Sequence, residues 1–179
     1  KQLIEYLCVS AKILGAMPTQ KLLVAERFFD DAGGMQLIIH SPFGGRINRA
    51  FGHALRKRFC RSFDFELQAA AGDDGVLLSL GAQHSFPLID IFAFVSPNVL
   101  DEVLSQAVLQ APLFGTRFRW NASRALLLER MQRGERVPPQ IQRARSDDLL
   151  AAIFPAQAGC QDNHGGEYVE LPDHPIVNE

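Results

Sequence analysis

The residues best suited to chemistry in this chain are arginines. Between Arg46 and Arg61 the sequence RINRAFGHALRKRFCR carries six Arg or Lys residues, no acidic residue, and aromatic side chains between the charges. Farther on, TRFRWNASR (Thr116 to Arg124) sets three arginines around the only tryptophan, Trp120. Guanidinium groups bind phosphate through paired hydrogen bonds, and an aromatic ring among them offers a face on which a base can stack. The chemistry to which these windows point is recognition of an anionic polymer.

The spacing within each window is helical. Ile47, Phe51, Leu55 and Phe59 recur every four residues as an apolar stripe, and Arg49, His53 and Arg56 fall on a neighbouring face. With Arg46, Lys57, Arg58 and Arg61 they form a basic band suited to a phosphodiester backbone, where each neutralised phosphate releases counterions. No acid within the window is available to pair with these charges. Phe51 lies on the apolar stripe, so spacing alone assigns it to the core. In the second window helical spacing brings Arg117, Asn121 and Arg124 together with Trp120 beside them, a set that can hold phosphates while the indole stacks. The competing expectation is that Trp120 anchors the core and the arginines pair with acids elsewhere.

Ser41-Pro42-Phe43-Gly44-Gly45-Arg46 is a glycine turn entering the basic helix. Its amides and the helix N-terminus are suited to one backbone phosphate, and a plain connector is the alternative. A nucleotide-hydrolysing loop ending in Gly-Lys-Ser/Thr is missing from the sequence. Cys160 and His164 are four apart without a second pair at ligand spacing, so no metal site is expected. His40, His53, His84 and His174 are scattered and read as hydrogen-bonded structural histidines. Asp73-Asp74 and Asp147-Asp148 fit a turn and a helix cap better than an acid–base pair, and Ser41, Ser79 and Ser123 lack the G-x-S-x-G setting of a nucleophile.

Fourteen of the eighteen basic residues lie in the two stretches Arg46–Arg61 and Arg117–Arg145, which the net charge of −2 conceals. Seven acids and no Lys or Arg follow Arg145. Binding depends on the local potential of one face, so a near-neutral total does not exclude nucleic acid. The 179 residues, 47% of them hydrophobic, suffice for a core. Three widely spaced cysteines without a C-x-x-C pair argue against a disulfide framework and suit a reducing cytoplasm. No apolar run approaches the roughly 20 residues that span a bilayer, so no membrane partner is expected.

The elements that must position these side chains read as an α+β fold. An opening helix from about Leu3 ends at Gly15 and Pro18, and it is read with residues 1–21 as the end of an upstream domain. Leu22–Phe29 and Met35–His40 form one hairpin around Asp-Asp-Ala-Gly-Gly, and Phe63–Ala70 and Val76–Leu80 form another around Gly-Asp-Asp-Gly. The basic amphipathic helix lies between them, giving β-β-α-β-β. A helical second half follows: a brief turn at Leu88–Phe94, Asn98–Gln110 capped by Asn98, a longer helix from Leu113 to about Arg130, and Ser146–Phe154 capped by Ser146-Asp147-Asp148. Residues 22–155 are read as one domain and 156–179 as an extended tail.

Four runs in this order resemble a known family: Val24 to Gly75, Ala111 to Leu128, Val137 to Pro155, and Asp173 to Val177. They are similar to the Lhr-type, or large helicase-related, superfamily 2 helicases, in the DEAD/H-associated region downstream of the RecA-like motor domains and the winged helix. The resemblance covers nearly all of the chain from about Leu22. It implies an ATP-dependent 3′-to-5′ enzyme that unwinds DNA or RNA–DNA duplexes in nucleic-acid repair. ATP and Mg would belong to motor domains elsewhere in the parent protein, since this chain lacks their motifs.

The family often has Trp where this chain has Phe51, in the pattern I-N-R-A-W-G, which implies an aromatic stacked on the tracked strand. The expected role is an accessory module that grips single-stranded DNA or an RNA–DNA hybrid through Arg46, Arg49, Phe51, His53, Arg56, Lys57, Arg117, Trp120, Asn121 and Arg124. Contacts to the RecA-like and winged-helix domains are also implied. The alternative is a bracing module whose basic faces pack on acidic protein surfaces.

Overall fold

The computed structural model describes residues 1–63, 67–80, 86–109, 111–156 and 168–179. They form two compact units, Lys1–Leu104 and Ser105–Glu179.

The first unit opens with helix α1 (Gln2–Leu14), which ends at Gly15 in the left-handed conformation, φ 70°, that glycine adopts without a steric cost. None of its residues is buried. Strands β1 (Val24–Phe29), β2 (Met35–His40), β3 (Gln68–Ala71) and β4 (Gly75–Leu80) form one antiparallel sheet in the order β1-β2-β4-β3. Helix α2 (Gly45–Phe63) lies between the two hairpins in sequence and contacts β3 and β4. The β-β-α-β-β order is therefore present, and pairing of β2 with β4 joins the hairpins into a single sheet.

Side-chain alternation sets which sheet face is buried. Met35, Leu37 and Ile39 lie opposite Leu80, Leu78 and Val76, and all six are buried. Leu55 and Phe59 of α2, both 0% exposed, pack with them, as does Ile91. The ring of Phe59 meets Phe86 and Phe94 at centroid distances of 5.3 and 4.8 Å. Burial of each such side chain contributes about 1.5–3 kcal/mol. Two short 3-10 turns follow, Leu88–Ala93 and Pro97–Val99, so Asn98 sits inside a turn where the sequence suggests a helix cap.

Helix α3 (Leu100–Leu109) leads into the second unit, which contains α4 (Pro112–Arg124), the strands β5 (Met131–Gln132) and β6 (Glu135–Arg136), α5 (Pro139–Ile153) and a last short helix, Pro175–Asn178. Its core joins Phe118 and Ala122 of α4 to Leu128, Ile176 and the partly buried Leu149, Leu150 and Ile153. Gln106, 5% exposed, clasps Val169 in both directions: Nε2 donates to the Val169 carbonyl and Oε1 accepts from its N–H, each at 2.8 Å.

Helix α2 runs through Phe63, read from the sequence as the start of a strand, and β3 begins only at Gln68; the boundaries of α4 and α5 also differ from the expected ones. Helix α4 stops at Arg124, six residues before Arg130, because Leu126 turns left-handed at φ 61° and the N–H groups of Leu127 and Leu128 return to the Ala122 carbonyl. That reversal seats Leu128 in the core. Helix α5 begins at Pro139, not Ser146, since Pro138 is extended and Pro139 supplies a fixed φ at a position that needs no donor. Ser146 is a buried mid-helix residue, and Asp147-Asp148 does not face a helix start. The hairpin β5–β6 is an addition to a half expected to be helical.

Candidate nucleic-acid interface

In the first unit the site is built on the N-terminal turns of α2. The turn that feeds it is fixed from the opposite hairpin: the Ser41 N–H donates to the Asp74 carbonyl at 2.9 Å and the Gly44 N–H to the Asp73 carbonyl at 3.2 Å. Asn48, fully buried, lies within 2.9–3.0 Å of three carbonyls through Nδ2, those of Ser41, Gly72 and Asp73. The first helical N–H, that of Gly45, donates to Asp73 Oδ1 at 2.9 Å. A carboxylate of the chain itself therefore occupies one of the amides that could hold a phosphate, which favours the plain connector. A Cβ at Gly45 would meet that oxygen at 2.7 Å and Arg49 Nη1 at 3.3 Å, which explains the glycine.

Along α2 the basic residues divide by exposure. Arg46, Arg49 and Arg61 are exposed, Arg56, Arg58 and His53 are half-buried, and Lys57 is buried at 7%. The helix is more enclosed than one apolar stripe implies, since Ala54, on a different face from Leu55, is also 0% exposed. Ile47 is the exception on the stripe, 55% exposed. Arg58 Nε donates to the Phe94 carbonyl at 2.8 Å, a structural tie. The exposed positive charge thus concentrates at the start of the helix, where the first turn contains no acid. The helix dipole is positive there too, so Arg46 and Arg49 stand where cations are unfavourable unless an anion is close. Neither forms an ion pair among the described residues.

Phe51 is half-buried and packs against the edge of the sheet–helix core. His53 is held below the ordinary imidazole range, first by burial and second by the neighbouring Arg56 guanidinium. His40 Nε2 and Glu26 Oε2 lie 2.9 Å apart across β1 and β2, a structural pairing. His174 Nδ1 accepts from the Ile176 N–H at the start of the last helix. His84, Cys160 and His164 lie outside the described residues, among which no group of acids, histidines and cysteines could hold a metal.

In the second unit α4 presents the other set. Phe118 and Ala122 face its core, while Arg117, Trp120 and Arg124 are exposed, Trp120 by 50%. The Arg117 guanidinium carbon stands 5.6 Å from the Trp120 ring centroid, a cation–π contact at the surface. Asn121 is half-buried, and its Nδ2 makes a long 3.5 Å hydrogen bond to the Ile176 carbonyl. Asp73 lies in the turn expected of it, while nothing in the sequence signals the structural tasks of Asn48 and Gln106. A polar residue buried on a helix leaves no mark in hydrophobic spacing.

The chain matches the family model described as DEAD/H associated over residues 17–179. It is 34% identical over 137 residues to the Lhr helicase/probable uracil glycosylase of Mycolicibacterium smegmatis, covering 76% of this chain and 9% of that protein. It is 24% identical over 139 residues to the ATP-dependent helicase Lhr-Core of Sulfolobus acidocaldarius, covering 78% of this chain and 16% of that one. The solved structure of Mycobacterium smegmatis helicase Lhr bound to ssDNA and AMP-PNP superposes with a TM-score of 0.71 at 30% identity, over 94% of this chain and 19% of that one. The chain therefore spans a small part of the length of each relative.

Proposed function

We propose that this chain, which belongs to the DEAD/H-associated family and is an Lhr helicase-associated domain, grips the single strand on which its parent helicase acts. The carrying observation is the placement of Arg46 and Arg49, exposed at the positive end of α2 with no acid in the first turn. The single Asp73 carboxylate at the Gly45 N–H offsets only part of the charge of two guanidinium groups there, and an approaching phosphate would offset the rest.

In this reading Arg46 and Arg49 hold phosphates in the first unit, with Phe51 and His53 at the margin of the contact. Arg117 and Arg124 hold phosphates in the second unit, with Asn121 beside them. Trp120, already set under a guanidinium, offers its free face to a base. Lys57 is buried and Arg56 half-buried, so these two contribute to the potential more than to direct contact. The strand is DNA, or the DNA or RNA of a hybrid. ATP and Mg belong to the parent protein's motor domains; the Ser41–Arg46 turn does not fit a nucleotide phosphate, because Asp73 takes its helical amide.

Arg46→Gln/Arg49→Gln separates this function from a bracing role. Removing two cations from a helix N-terminus should stabilise the fold by about 0.3–1 kcal/mol each, while binding of fluorescently labelled oligo(dT), followed by anisotropy, weakens. Unchanged affinity in the double variant would overturn the assignment of these residues.

A further inference from the structure

The hairpin β5–β6 has features that folding does not explain. Gln132 pairs with Glu135, leaving Arg133 and Gly134 as a two-residue turn with φ of 54° and 84°. Such turns require positive φ at both central positions and favour Asn, Asp or Gly at the first, because a Cβ crowds the backbone there. This chain has arginine. All six residues from Met131 to Arg136 are exposed, so no packing holds the conformation in place.

The hairpin is tied at its base, where the Val137 N–H donates to the Arg130 carbonyl at 3.0 Å and Val137 is buried, and beside the turn, where Arg145 Nη2 donates to Gln132 Oε1 at 3.3 Å. Arg130, Arg133 and Arg136 are exposed on this short ribbon, with Arg143 exposed on α5. None of these four makes an ion pair among the described residues. A non-glycine residue kept at an unfavourable backbone conformation with an exposed cationic head points to a task outside the fold.

We propose that the β5–β6 hairpin is a separate phosphate-binding element, with Arg133 at its tip and Arg130 and Arg136 at its base gripping a phosphodiester backbone. Phosphate contacts carry no sequence information, so the element would bind indifferently to sequence. This rests on the nucleic-acid reading above, but on a different element from α2 and α4.

The test is binding of the 179-residue chain to labelled oligo(dT) and to a blunt DNA duplex between about 50 and 200 mM salt. The variant is Arg133→Gly/Arg136→Gln, in which glycine accepts the positive φ and keeps the turn. For every phosphate that is no longer neutralised, the log–log salt slope should fall by about 0.7 on a single strand or about 0.9 on a duplex, and single-strand binding at 50 mM salt should weaken about eightfold. The ligand on which the slope falls identifies the source of the phosphates. If the parent chain binds and the variant binds both ligands with unchanged affinity and slope, the hairpin proposal is overturned and the α2 and α4 reading stands. If the parent chain binds neither, the wider reading fails with it.

Discussion

The carboxylate of Asp73, in the turn between β3 and β4, accepts a hydrogen bond at 2.9 Å from the backbone N–H of Gly45, the first residue of α2. One side chain thus ties the second hairpin to the start of the basic helix, and its charge partly offsets Arg46 and Arg49. Asp73→Ala removes a partner of a helix-terminal donor and should cost about 1 kcal/mol. Thermal melting reports the loss. Asp73→Asn keeps hydrogen-bonding capacity while removing a negative charge beside the arginines, so it should strengthen single-strand binding.

Asn48 is the second tie. Its buried Nδ2 serves the carbonyls of Ser41, Gly72 and Asp73. Asn48→Ala withdraws the donor from buried or half-buried acceptors, at a cost of about 1–3 kcal/mol. Denaturant titration should show a lower midpoint. Asn48→Asp should be worse, because it faces a carboxylate toward the same oxygens.

His53 gives the stability a pH dependence of defined sign. Burial, and then Arg56, hold its imidazole below the ordinary range, so the unfolded chain binds the proton more readily than the folded one. The contribution from neutral His53 is fully present above the unfolded value, about 6.5, and is lost as pH falls below it toward the folded value. His53→Gln should flatten the melting temperature across that window. A parent profile that instead rises on acidification through it would contradict the assignment.

The strands are legible where both faces of the sheet leave a mark. Alternation in Met35–His40 matches the burial of Met35, Leu37 and Ile39, and Gly-Asp-Asp-Gly locates the turn before β4. The apolar spacing of Leu55 and Phe59 likewise locates the buried face of α2. The β5–β6 hairpin is not legible, since two-residue strands are too short to show alternation. At α5 the Ser-Asp-Asp cap signal outweighs Pro138-Pro139, although the fixed φ of proline marks the true start. In the candidate site, sequence finds the arginines and Trp120. Which charges reach the surface depends on packing: Lys57 and Arg61 lie four apart on one helix, and one is buried while the other is exposed.

The salt dependence of single-strand binding reports whether the arginines of the candidate site grip phosphates. If Arg46, Arg49, Arg117 and Arg124 each neutralise one phosphate, these four alone should contribute about −3 to the log–log slope for oligo(dT), at about 0.7 per phosphate. Arg117→Ala and Arg124→Ala should each make it shallower by about that increment, whereas Phe51→Ala should weaken binding with little change in slope. Binding at about 50 mM salt with this slope, reduced by the arginine substitutions, is the predicted result; no binding at that salt concentration, or a slope near zero, would contradict the grip and favour a brace.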